Sequence, residues 1–159
     1  MKRIFKQVPR ILFGEGSLSQ IKELIPEKLQ NDILFIVDES LPELPILKMV
    51  DEDRIIRFPA QLGEPKTIQV DQINVNLQNN NQKLPTAIIG IGGGSTMDVA
   101  KAVSLMLTNV GESADYQGWD LVNIPGIFKV GVPTISGSGA ESSRTAVLMG
   151  KEKKFGINS

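Results

Sequence analysis

Apolar residues along the chain fall into short runs separated by helical spacings. Ile33-Leu34-Phe35-Ile36-Val37 and Ala87-Ile88-Ile89-Gly90-Ile91 are continuous, as expected of parallel strands buried on both faces. Ile55-Ile56-Arg57-Phe58, stopped by Pro59, and Phe128-Lys129-Val130-Gly131-Val132 predict two more strands. Ile4, Phe5, Val8, Ile11, Leu12 and Phe13 read as an extended leading segment, closed by a Gly14-Glu15-Gly16 turn. Between the strands the period changes to that of helices. Ser17 is placed to cap a helix with Leu18, Ile21, Leu24, Ile25 and Leu29 on one side. A second helix over 67–79 would turn Ile68, Ile73 and Leu77 inward. A third, from Ser95 to about Thr108, is apolar on most sides and should lie deep. Residues 39–54 contain Pro42 and Pro45 and allow only a short helix near Leu44–Val50. Asn79 to Gln82 reads as a surface turn, and Val110 to Gly126 as a loop. Thr145–Met149 and Lys154–Ile157 suit a hairpin. Strands alternating with helices predict an α/β fold with a mainly parallel, doubly wound sheet, Rossmann-like, in one domain over 1–159.

Composition narrows the chemistry. The chain has 159 residues, 41% of them hydrophobic, enough for one domain with its own core. Lys plus Arg is 17 and Asp plus Glu is 18, a net charge of −1 with no basic stretch for nucleic acid. No apolar run approaches the roughly 20 residues that span a bilayer. These features lead us to expect a cytoplasmic protein with no membrane or nucleic-acid partner. Cysteine and histidine are both absent. That excludes thiol catalysis, a Ser-His-Asp triad and imidazole-based metal sites within this chain.

The glycine turn after the 87–91 run is the most informative segment. Gly92-Gly93-Gly94-Ser95-Thr96-Met97-Asp98 joins a buried strand to a helix. Unpaired N–H groups at a helix start, added to the helix dipole, form an anion site. Gly93 and Gly94 would let the backbone approach a phosphate, and Ser95 and Asp98 form a capping-box-like pair. A tight strand–helix turn needs only one glycine. The turn departs from the usual dinucleotide fingerprint. Gly90-Ile91-Gly92 with Ser95 gives G-x-G-x-x-S, with no acid at a strand end some 20 residues on. There is no GK[ST] either. The acid lies upstream instead: Asp38 ends the first clear strand, where it could bind ribose hydroxyls and repel a 2′-phosphate, or simply close a turn. Pro133 to Ser143 is a second small-residue loop after a strand. Its hydroxyls, among them Thr134, Ser138 and Ser143, suit a ribose or a diphosphate, although an ordinary loop has the same look. Tyr116 and Trp119 could wall a pocket or anchor a loop. Lys101, two turns into the third helix, reads as a solvated lysine.

In this order, Phe13-Gly14-Glu15-Gly16-Ser17-Leu18, Val37-Asp38, Ile89 to Lys101, and Val132-Pro133-Thr134 through Glu141 resemble the N-terminal domain of the iron-containing alcohol dehydrogenase and dehydroquinate synthase-like superfamily. Tyr116 to Asp120, Ser142 to Leu148 and Lys153 to Ser159 look most like its 3-deoxy-manno-octulosonate 8-oxidase branch, which acts on the terminal hydroxyl of a lipopolysaccharide sugar acid. The resemblance implies NAD, with NADP open. Asp38 would take the adenosine ribose; Gly93, Gly94, Ser95 and Asp98 the pyrophosphate and its turn; Thr134, Ser138 and Ser143 the nicotinamide side. The family often has threonines where Ile135 and Ser138 stand. The resemblance also implies a sugar-acid or alcohol substrate and a divalent metal, iron or zinc, held by a helical domain with histidines. This chain has none, so we expect a piece of a two-domain enzyme, inactive alone, with no catalytic or metal residue of its own. A homodimer stays open. Two rival expectations are a stand-alone nucleotide- or sugar-phosphate-binding module and a dehydroquinate synthase-like domain.

Overall fold

The structure, a computed structural model, describes residues 8–80 and 83–158. Strands β1 (Ile33–Asp38), β2 (Ile55–Phe58), β3 (Ala87–Gly92) and β5 (Phe128–Pro133) make one sheet in the order β2-β1-β3-β5, parallel throughout. Every residue of β1 and β3 is buried, because these two central strands are covered on both faces. Leu34, Ile36 and Ile88 face α1 (Thr67–Asn79) and α2 (Gly94–Met106), packing with Val70, Val99, Val103 and Met106. Phe35, Val37, Ile89 and Ile91 face the other way, onto Ile21, Ile25 and Leu47. The doubly wound fold predicted from the strand–helix alternation is therefore the one observed.

Several local expectations change. The helix expected after Ser17 is a 3₁₀ helix over Ser17–Leu24 followed by a separate turn over Glu27–Leu29. Pro26 divides them, since it disfavours α geometry at Ile25 and brings no N–H. Ser17 does not cap. Gly16, at φ 78, occupies the N-cap, and the hydroxyl that reaches its carbonyl is that of Ser19, at 2.7 Å. The short helix near Leu44 is a 3₁₀ helix over Pro45–Met49. Ile68 is exposed rather than inward. It stands five residues before Ile73, off the 3–4 spacing of one face, and Val70 takes the core position. Residues 8–13 form no strand, and Ile4, Phe5, Asn81 and Gln82 lie outside the described residues.

The hairpin forms as β6 (Thr145–Met149) and β7 (Lys154–Asn158), antiparallel. It belongs to a second sheet. The segment expected as a loop over 110–126 contains a 3₁₀ turn over Ser113–Tyr116 and a short strand β4 (Gly118–Trp119), which pairs in parallel with β7. Ala146, Leu148 and Ile157 of this small sheet close the core over α2. Ten of the thirteen residues of α2 are buried as a result.

Candidate functional site

The sheet order places a switch point between β1 and β3. From β1 the chain moves outward to β2, then returns to the other side of β1 as β3. In open parallel sheets, ligands bind at such a point, outside the carboxyl ends of the strands. The residues at those two ends are Asp38 and Gly92. They touch. A Cβ built on Gly92 would lie 3.0 Å from Asp38 Cβ, and 2.6 Å from the Oγ1 of fully buried Thr96. Only glycine fits there, and the chain is free to turn from strand into helix.

α2 starts at Gly94, one residue earlier than expected, with Gly93 as an extended N-cap and no side-chain cap. The capping role expected of Ser95 and Asp98 is therefore not realised. Ser95 lies in the first turn, and Asp98 points elsewhere: its Oδ2 accepts the Val147 N–H at 3.0 Å and its Oδ1 pairs with Lys101 Nζ at 2.7 Å. The helix start keeps its N–H groups free of side-chain caps, as an anion site requires.

The second loop folds over this turn. β5 runs alongside β3 to its end, Gly92 opposite Pro133, and the Thr134 N–H donates to the Gly92 carbonyl at 3.0 Å. A Cβ on Gly94 would meet Ser138 Cβ and Oγ at 3.0 Å, and one on Gly93 would meet Ile135 Cδ1 at 3.7 Å. Lys101, expected in solvent, is almost buried and holds the loop down. Its Nζ donates to Ala140 O at 3.1 Å, to Ser143 Oγ at 3.2 Å and to the Thr145 carbonyl, besides pairing with Asp98.

Between turn and loop lies a cavity of about 290 Å³. Gly94, Ser95, Asp98, Ser138 and Ser143, five of the eight residues expected for a cofactor, line it. Gly93, Asp38 and Thr134 do not. They lie behind the turn, at the end of β1 and alongside Gly92. Asp38 Oδ1 accepts the backbone N–H and hydroxyl of Ser40, at 3.0 and 2.8 Å, so it closes a turn as well as standing at the switch point. Glu64 and Lys154, an ion pair at 2.8 Å, flank the cavity and had no signal in the sequence. Trp119 is exposed, in cation–π contact with Arg144 at 5.7 Å, and Tyr116 donates to the Val110 carbonyl at 2.5 Å. Neither lines the cavity. Among the described residues no group of three acidic residues could hold a metal ion, and no helix is long and apolar enough to cross a membrane.

The sequence model of iron-containing alcohol dehydrogenases matches residues 9–159. Among curated proteins, the chain is 26% identical over 150 residues to alcohol dehydrogenase 4 of Saccharomyces cerevisiae, spanning 92% of this chain and 39% of that protein. It is 28% identical over 153 residues to the NAD-dependent methanol dehydrogenase of Bacillus methanolicus, again 92% of this chain and 39% of the other. Among solved structures, sulfoacetaldehyde reductase from Bifidobacterium kashiwanohense, crystallised with NAD+, superposes with a TM-score of 0.80 at 24% identity, over all of this chain and 43% of that one. The chain thus spans about two-fifths of the length of these relatives. With the family's pattern matched along almost its whole length, the chain belongs to the iron-containing alcohol dehydrogenases.

Proposed function

We propose that this domain holds a nicotinamide dinucleotide for an enzyme that interconverts an alcohol and a carbonyl compound. The observation that carries the reading is the start of α2. A helix N-terminus without a side-chain cap, just beyond the strand ends that flank the switch point, opens between two glycines and a serine loop into a cavity walled by β6. Gly93, Gly94 and Ser95 would offer backbone N–H groups to the pyrophosphate. Asp38, at the neighbouring strand end, would accept the adenosine ribose hydroxyls and disfavour a 2′-phosphate, so NAD is preferred over NADP. Ser138 and Ser143 would line the nicotinamide side, with Thr134 beside them. Asp98 and Lys101 would fix the loop rather than touch the ligand. The cofactor, when bound, accepts or donates a hydride. Among the described residues no group of side chains fits the iron or zinc that the family implies.

Within the family we infer a sugar-acid substrate, oxidised at the terminal hydroxyl of 3-deoxy-manno-octulosonate in lipopolysaccharide sugar synthesis, by a cytoplasmic enzyme and in a form that admits a homodimer. The support is the likeness of three segments, residues 116–120, 142–148 and 153–159, which contribute to β4, β6 and β7. Calorimetric titration of the chain with NAD and with NADP tests the cofactor reading, with Ser95→Asp as the control that sets a carboxylate at the anion site. NAD should bind the parent chain and not the variant. If neither dinucleotide binds at millimolar concentration while circular dichroism reports an intact fold, the reading fails. Oxidation of the sugar acid by the full-length protein, in preference to simple alcohols, tests the substrate.

A further inference from the structure

A second cavity, of about 210 Å³, lies along the later turns of α2 and shares the wall residue Ser143 with the first. Leu105 and Pro125 give it an apolar side. Its charged lining is wholly basic, Lys101, Lys129 and Arg144, with no carboxylate. The three cations differ in their commitments. Lys101 is tied to Asp98 and to the loop carbonyls. Arg144 lies over Trp119 and meets Asp120 at 3.3 Å, in a pair exposed enough to rearrange. The Lys129 ammonium has no hydrogen-bond or ion-pair partner among the described residues. Its pKa is lowered from 10.5, first by burial and then by the charge of Lys101. The residue as a whole is exposed. A lysine in that setting is destabilised as a cation until an anion joins it.

We propose that this cavity is an oxyanion site, in which Lys129 and Arg144 hold a phosphate or carboxylate group with help from the Ser143 hydroxyl, apart from the glycine turn. The geometry suits that chemistry. Arginine presents a planar fork that matches an oxyanion, lysine supplies a point charge, and the Ser143 hydroxyl, which donates to the Thr145 carbonyl at a long 3.3 Å, can turn to donate to an anion instead. The two sources of such a group are free phosphate and the acid end of an organic ligand. The inference does not rest on the cofactor reading, since the α2 N-terminus takes no part in it.

The test is titration of the chain with inorganic phosphate, with gluconate and with neutral glucose at constant ionic strength, read by calorimetry and by NMR of the lysine side chains. Ser95→Asp blocks the glycine turn; Lys129→Gln and Arg144→Gln remove the proposed contacts; Lys129→Arg keeps the charge. The expected result is saturable anion binding that persists in S95D, weakens about tenfold or more in K129Q and R144Q, and returns in K129R. Phosphate alone binding identifies a phosphoryl ligand. Gluconate alone, with glucose inert, identifies the acid end of a sugar acid, and both binding identifies a general oxyanion site. Binding lost in S95D and kept in K129Q would place the anion at the glycine turn and overturn the proposal, as would no saturable binding of either anion. Should K129Q not fold, R144Q, at the other proposed contact, gives the same decision.

Discussion

Replacing Lys101 by methionine separates a solvated lysine from a buried one. Methionine keeps most of the length and apolar stem, so packing changes little. What is lost is the ammonium, with four recorded partners: the Asp98 carboxylate at 2.7 Å, the Ala140 and Thr145 carbonyls and the Ser143 hydroxyl. Both side chains of the ion pair are close to nine-tenths buried, at 11% and 13% exposure. Removing one member of such a pair strands the other charge, which costs ~3–5 kcal/mol. Asp98 would keep only the Val147 N–H. Of the three freed acceptors, the Ser143 hydroxyl is exposed and the Thr145 carbonyl keeps the Ser143 hydroxyl as a donor, so the stranded carboxylate dominates. For a chain of this size the loss corresponds to a fall in melting temperature of roughly 6–20 °C. Urea unfolding of K101M, D98N and the double variant provides the assay. In the double variant the amide that replaces the Asp98 carboxylate still accepts from Val147 but leaves no charge behind, so D98N/K101M should be more stable than K101M alone. If K101M lies within about 1 kcal/mol of the parent, the range of exposed pairs, or if the two substitutions simply add, the latch described between α2 and the serine loop does not exist.

Other predictions follow from close contacts and charge. Gly90→Ala would place a Cβ 2.8 Å from Ala100 Cβ, well inside the ~3.5–4.0 Å of an ordinary carbon contact. It should cost about 1–3 kcal/mol, and Ala100→Gly in the same chain should recover part of that; additive urea midpoints would contradict the contact. Asp38→Asn keeps an acceptor for Ser40 but removes the charge facing a 2′-phosphate. Calorimetry should then show the preference for NAD over NADP shrinking by about five- to thirtyfold, the weight of roughly 1–2 kcal/mol of repulsion; an unchanged ratio would take Asp38 out of the cofactor site. Lys129 has a folded-state pKa below its ordinary 10.5, so the unfolded chain binds more protons as that range is approached. Its contribution to stability therefore rises with pH up to about 10.5 and vanishes in Lys129→Met. Melting curves of the two chains across the alkaline range should converge at the upper end, and parallel curves would refute the shift.

How much of this was legible in the sequence depends on where each residue's partners lie. β1 and β3 were plain because strands buried on both faces need continuous apolar runs, and 33–37 and 87–91 supply them. The 3₁₀ geometry of 17–24 was not, since a periodic apolar pattern does not report whether each N–H bonds three or four residues back. The glycine turn was legible because its chemistry is local: strand, glycines and helix start are consecutive. Asp38 was legible as a strand end, and its link to the turn needed only the sheet order. With β1 beside β3 across the switch point, an acid early in the chain and a glycine turn later become neighbours, and under the proposed function this accounts for an order of parts unlike the usual fingerprint. Lys101 was not legible. Two of its acceptors are backbone carbonyls, 39 and 44 residues away, and a carbonyl has the same signature at every position. The long stem that lets a lysine reach water from a half-buried helix also lets it reach inward. The deciding factor is whether the following loop and β6 are laid across the helix. That arrangement is set by the small sheet of β4, β6 and β7, whose pairing joins segments some 40 residues apart, Gly118 opposite Ile157. The strand–glycine–helix turn proposed to bind an anion is thus encoded in seven consecutive residues, while the device that closes a loop over it is encoded in a tertiary contact that no short motif contains.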